Sequence, residues 1–177
     1  MQKTIKKKTR IGILGGTFDP PHKGHLYISK IALKKLRLNK LIWVVTKKNP
    51  FKKRPVLELK VRINLSKKIL KKEKKILVKY FEDKINSNTT FDLLNFIEKK
   101  NKKSIIFFLT GADNLKKFHK WKNWEKITKV AKVVIFPRKG YSFQSLHPMV
   151  FKKLNKKDFM YINSKKINIS SSLIRKF

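Results

Sequence analysis

Two histidines three residues apart, His22 and His25, follow a glycine pair and a proline pair in the stretch Gly15 to Leu26, GGTFDPPHKGHL. In the first turn of a helix that spacing brings both imidazoles to one side, near the positive end of the helix. Gly15 and Gly16 lack a Cβ, so the backbone at Thr17 and Phe18 can approach an anion closely and offer N–H donors. Such a cradle suits a phosphoryl group in transfer, because it places donors where charge builds up in the transition state. The stretch is neither GxGxxG nor GxxxxGKS/T, so neither the dinucleotide fingerprint nor the P-loop describes it. The competing reading is a pair of surface histidines beside a Gly/Pro turn. A second candidate phosphate grip lies at the chain end, Ile169 to Arg175 (ISSSLIR), where hydroxyls and unpaired N–H groups at a helix start precede Arg175 by one turn. Serine caps are common, so this motif is weak when taken alone. The chain has no cysteine, which excludes disulfides, thiolate catalysis and thiolate metal sites.

The elements that must hold these residues alternate between strand-length apolar runs and segments of helical period, the pattern of a parallel sheet covered by helices. Arg10 to Gly15 reads as the first strand; Leu26, Ile31, Ala32, Leu33 and Leu36 recur at helical spacing; Leu41 to Val45 is the second strand. Val56 to Leu70 reads as a helix with Leu57, Val61 and Leu65 on one face, followed by a short strand at Ile76 to Val78. Thr90 to Lys100 is helical and precedes the strand Ser104 to Thr110; Lys132 to Phe136 is another strand. Ser145 to Leu154 is a helix, Phe159 to Ile162 a last strand, and Ser170 to Arg175 opens a terminal helix. The fold expected is α/β: a Rossmann-like three-layer parallel sheet with helices on both faces, in one domain spanning 1–177 with a basic, partly flexible lead-in at 1–9. In such a sheet the ligand lies at the carboxyl ends of the strands, which directs attention to the loops after Leu14, Val45, Leu109 and Phe136.

GGTFDPPHKGHL resembles the signature of the nucleotidyltransferase superfamily whose hallmark is HxGH, here His22-Lys23-Gly24-His25, and ISSSLIR resembles its ISSTxIR element. Gly111 to Ile127, GADNLKKFHKWKNWEKI, is similar to the GxDxLxxFxxWxxWxxI block of nicotinate mononucleotide adenylyltransferases. The resemblance implies transfer of AMP from ATP to nicotinate mononucleotide by direct attack on the α-phosphate. It implies that Gly15, Gly16, Thr17, Phe18, His22, His25, Ser171 and Arg175 bind ATP, with Mg²⁺ carried on the phosphates. His22 and His25 would act on the transferred group, Asp113 would contact a nucleotide, and Trp121 would stack on the pyridine ring; Trp124 reads as core. Asn49 and Lys52, in the loop after the second strand, could offer an amide and a cation to the acceptor. Thr89 to Leu94 (TTFDLL) resembles the family's YTxDTL element, matching at Thr90 and Asp92 and departing at Thr89, where tyrosine is usual. Arg138, in FPRKGY, is a candidate phosphate or structural contact. Sister enzymes with nicotinamide mononucleotide or phosphopantetheine as acceptor share HxGH and remain alternatives.

The net charge of +37 raises a further alternative, a nucleic-acid-binding module. Of the 47 basic residues only six are arginine, and the lysines are spread along the whole chain, whereas specific phosphate or base recognition favours the guanidinium fork. Ile (19) also outnumbers Ala (3), as a biased codon supply would produce. No specific nucleic-acid partner is therefore expected, though the field should draw in anions such as ATP. No apolar run approaches the roughly 18 residues of a membrane span, and the basic start lacks the apolar core and cleavage site of a signal peptide, so the expectation is a cytosolic protein. Oligomerisation is left open.

Overall fold

The computed structural model describes residues 8–51, 53–138, 141, 148–164 and 174. Six strands form one sheet in the order β3-β2-β1-β4-β5-β6, and every neighbouring pair is parallel. They are β1 (Thr9–Gly16), β2 (Lys40–Val45), β3 (Ile76–Lys79), β4 (Ser104–Gly111), β5 (Lys132–Phe136) and β6 (Phe159–Tyr161). The helices are α1 (Lys23–Lys35), α2 (Leu59–Ile69), α3 (Glu82–Ile85), α4 (Thr90–Lys100), α5 (Trp124–Val130) and α6 (Pro148–Lys153), with a 3₁₀ helix at Ala112–Lys120. The strand order reverses between β1 and β4, the switch point at which open α/β sheets open a crevice.

Alternate residues of the central strands feed two separate cores. Ile11 and Ile13 of β1 and Ile106 and Phe108 of β4 join Leu94, Ile97 and Ile127 on one face of the sheet. Leu14, Phe107 and Leu109 join Ala32, Leu36 and Leu70 on the other. Burial on both faces is why β4 reads as an unbroken apolar run.

The α2 segment differs from the sequence-based expectation in its start and in its buried face. Residues 56–58 precede α2 instead of belonging to it, because the carboxylate of Asp19 accepts hydrogen bonds from the N–H groups of Val56 (2.8 Å) and Leu57 (3.0 Å). The buried face of α2 is also not the expected one: Val61 is 41% exposed, while the polar Arg62 and Ser66 are buried. A count of apolar residues could not see a face centred on polar side chains. The segment after β4 is 3₁₀, and its buried residues Ala112, Leu115 and Phe118 recur every third position, the period of that helix. The expected helix over 145–154 is described only at Pro148–Lys153. The expected terminal helix from Ser170 to Arg175 apart from Ile174, most of the basic lead-in, and Lys52 lie outside the described residues, and with them Ser171 and Arg175.

Candidate active site

The loop after β1 is shaped by its glycines. A Cβ on Gly15 would meet nothing within 4 Å, so the chain there borders open space, and one on Gly16 would touch the ring of Phe18 at 3.5 Å. Phe18 turns inward with a φ of 49° and stacks on Trp43 at 4.8 Å between ring centroids. His22 is the N-cap of α1, and the two imidazoles close a reciprocal capping box. Nδ1 of His22 accepts from the Gly24 N–H (3.1 Å), and Nδ1 of His25 accepts from the His22 N–H (3.2 Å). With Nδ1 accepting in each ring, the neutral imidazoles carry their proton on Nε2, as donors. The rings lie 3.8 Å apart, and His25 is backed by Phe18 at 4.8 Å. Trp43 fixes the helix from below: its indole N–H donates to Ser29 Oγ (2.8 Å), which donates to the His25 carbonyl (2.7 Å). The sequence therefore holds both imidazoles by helix capping and by aromatic packing on β2.

A cavity of about 440 Å³ opens over this loop, lined by Gly15 to Asp19, His22, His25, Asn49, Lys53, Arg54, Thr110, Asp113, Asn114 and Arg138. Burial, aided by the nearby Arg138 guanidinium, lowers the pKa of His22 to about 4, so at neutral pH the ring is an uncharged donor. Arg138 Nη1 reaches Asp113 Oδ1 at 3.3 Å and Oδ2 at 3.4 Å. A Cβ on Gly111 would stand 2.4 Å from Asp113 Oδ1, so any larger residue there would have to shift that carboxylate.

A second cavity, about 360 Å³, lies beside the first and is lined by Thr46, Asn49, Phe51, Phe81, Glu82, Ser87 to Thr90, Phe108, Lys120, Trp121 and Lys122 among others. Gly15, Gly16, Asn49, Thr110 and Asn114 line both, so the two spaces meet over the glycine pair. Trp121 is partly buried, with its ring edge-on to Phe108 (5.9 Å) and tilted on Phe118 (5.4 Å), while Trp124 is buried in the core. The first turn of α4 forms another wall: Thr89 caps it by accepting from the Asp92 N–H (3.2 Å) and donates to Asp92 Oδ2 (2.8 Å). The departure from the family's tyrosine thus leaves a capping residue.

Gly15, Gly16, Thr17, Phe18, His22 and His25 come together on the first cavity, and Asn49, Thr90 and Trp121 on the second. Asp113, expected to contact a nucleotide, and Arg138, expected as a phosphate or structural contact, line the cavity that bears the imidazoles. Sequence reasoning passed over Asn114, whose amide donates to Thr110 Oγ1 (3.1 Å) at the junction, and Glu82, which accepts from the Lys47 N–H (3.1 Å) and the Thr46 hydroxyl. It also passed over Arg62, whose guanidinium donates to four backbone carbonyls. The available signal was arginine itself, rare in a chain dominated by lysine.

A doubly wound sheet, an imidazole pair at a helix start and two cavities meeting over a glycine turn define a nucleotidyltransferase. Helix start and glycines offer donors to one phosphate chain, and the adjoining space can present an attacking group. The chain belongs to the cytidylyltransferase-like family, whose sequence model matches residues 13–177, and within it to the nicotinate-nucleotide adenylyltransferases. It is 52% identical over 171 residues to a protein of Pelagibacter ubique named "Probable nicotinate-nucleotide adenylyltransferase", covering 97% of this chain and 94% of that one. A protein of the same name from Aliarcobacter butzleri is 37% identical, covering 94% of this chain and 86% of its own. The fold matches that of Plasmodium falciparum nicotinic acid mononucleotide adenylyltransferase complexed with NaAD at a TM-score of 0.74 and 24% identity, over 96% of this chain and 83% of that one.

Proposed function

We propose that the protein transfers AMP from ATP to nicotinate mononucleotide, giving deamido-NAD and pyrophosphate, a step of NAD biosynthesis in the cytosol. The observation that carries the reading is the pair of cavities sharing Gly15, Gly16, Asn49, Thr110 and Asn114, one bearing the imidazoles and the other Trp121. ATP occupies the first, its phosphates against the Nε2 donors of His22 and His25 and the backbone at Thr17 and Phe18. Nicotinate mononucleotide occupies the second, its ring against Trp121 and its phosphate towards the junction. An oxygen of the acceptor's 5′-phosphate forms a bond to the α-phosphorus; the bond to the oxygen bridging to the β-phosphate breaks, and pyrophosphate leaves with that electron pair. The attacking phosphate is anionic at neutral pH, so alignment and charge stabilisation do most of the catalysis, with no strong base needed. Ser171 and Arg175 would close over the triphosphate from the chain end.

Mg²⁺ suits this arrangement as an ion carried on the triphosphate, whose oxygens it would partly neutralise. Among the described residues no three imidazole or carboxylate groups gather into a metal site; of the two carboxylates lining that cavity, Asp113 is engaged by Arg138 and Asp19 by the N–H groups of Val56 and Leu57. The chain's own part is to hold the phosphates.

The acid acceptor is favoured over the amide by the names of the relatives and by the lysines at 120 and 122 that flank Trp121 on the cavity wall. The test supplies ATP and Mg²⁺ with nicotinate mononucleotide, nicotinamide mononucleotide or phosphopantetheine in turn and measures pyrophosphate release. Fastest turnover is expected with the first; a faster rate with either of the others would refute the assignment. In the same assay His25→Asn, whose Oδ1 can replace Nδ1 in the capping box, should stay folded and lose a hundredfold or more in kcat.

A further inference from the structure

Arg62 is 2% exposed and lines neither cavity; what it touches is backbone of two loops, the second at both of its ends. Nη1 donates to the Thr17 carbonyl (2.6 Å) in the loop after β1 and to the Thr46 carbonyl (2.7 Å) in the loop after β2. Nη2 donates to the Lys47 carbonyl (3.1 Å), and Nε to Leu57 (2.9 Å) ahead of α2. Four of the five guanidinium N–H groups are thereby directed by a planar fork that lysine cannot reproduce. Burial weighs against the charge, and the carboxylates of Asp19 and Glu82 offset it. Each of these carboxylates holds one of the same loops: Asp19 binds the N–H groups of Val56 and Leu57, and Glu82 binds that of Lys47. Thr17 lines the imidazole cavity and Thr46 the Trp121 cavity, so one side chain ties the wall of one to the wall of the other.

We infer that Arg62 is a positioning residue that fixes the spacing between the two cavities and so aligns the acceptor with the α-phosphate, an inference that rests on the function proposed above. Its signature is a loss of turnover without a matching loss of binding: each substrate still finds its own cavity, but the pair is misaligned, and a displacement on the order of 1 Å can cost about a hundredfold in rate. Loss of a direct phosphate contact at His22 or His25 would also lower kcat, but it would not loosen the Thr17 and Thr46 loops together.

The experiment compares wild type, Arg62→Lys and Arg62→Gln by two-substrate kinetics of pyrophosphate release and by amide hydrogen exchange without ligand. In Arg62→Lys, kcat should fall ten- to a hundredfold with both KM values within about threefold of wild type. Exchange should quicken at residues 17–19 and 46–48 together while the central strands keep their protection. A kcat within threefold of wild type, KM values that rise in parallel with the loss of kcat, or exchange that quickens across the whole sheet would each overturn the inference. So would failure of both variants to fold, which would make the role purely structural. Inactivity of the wild-type enzyme on every acceptor would instead refute the proposed function, and the exchange comparison, which needs no turnover, would still decide whether Arg62 couples the two loops.

Discussion

On the function proposed above, His22 has two jobs that use different ends of one ring. Nδ1 accepts the Gly24 N–H and caps α1, while Nε2 is left as the donor on the cavity side. Substitution should separate them: Asn places its oxygen where Nδ1 stood, and Gln places its amide nearer to Nε2. We expect His22→Asn to melt within a few degrees of wild type but lose most of its turnover, and His22→Gln to be the less stable and the more active of the two. Thermal melts and kcat measured on both variants check this. The protonation of the ring gives a second handle. Its pKa in the fold is about 4, below the ordinary histidine value of 6.5, so between those limits the unfolded chain binds more protons than the folded one. Stability from this group is therefore complete above pH 6.5, falls as the pH is lowered, and levels off below about pH 4. Melting temperatures taken across that window should drop further for wild type than for His22→Asn.

At the scale of elements, α4 links local sequence to the Trp121 cavity through its first turn. Thr89→Ala removes the cap and one of the hydroxyls on Asp92, the other being Ser87 Oγ at 2.7 Å. The expected cost is about 1 kcal/mol, or roughly 2–4 °C in melting temperature for a chain of this size. Because Thr89 and Thr90 also line the Trp121 cavity, KM for the mononucleotide should rise while KM for ATP holds; equal rises in both would disconnect α4 from the acceptor. The same helix was legible in the sequence over its whole length, and β4 to within its last residue, since each is fixed by its own apolar pattern. The start of α2 was not: the helical period runs back through Leu57, but Asp19, far upstream in sequence, takes the N–H groups that would have begun the turn. The 3₁₀ segment was written in the sequence as apolar residues at 112, 115 and 118, a spacing of three that is easily taken for an α-helical stripe. Arg62 and Glu82 were the least legible, because their partners are main-chain groups that folding brings together from distant loops.

For the whole molecule, a net charge of +37 surrounds a site whose described wall adds Lys53, Arg54 and Arg138. A field of that size should speed the capture of anionic substrates more than it affects the chemical step. Raising the ionic strength from about 0.05 to 0.5 M shortens the Debye length several-fold, and kcat/KM for ATP should fall severalfold while kcat changes little. Flat kcat/KM across that range, in steady-state titrations, would assign the lysines no part in capture. The parallel sheet and the location of the crevice at its strand ends followed from alternation in the sequence; the strand order and the division into two spaces did not, the latter depending on how Asn49, Thr110 and Asn114 fold onto the rim.

The shared rim has one more consequence. Two compartments that open into each other over a bare glycine make no distinction between a pair of separate guests and a single tethered one. A compound carrying an adenosine at one end and a pyridine riboside at the other, joined by a polyphosphate bridge of suitable span, would surrender its rotational and translational freedom only once. Its second half would then dock from a high local concentration, with avidity beyond that of either half alone.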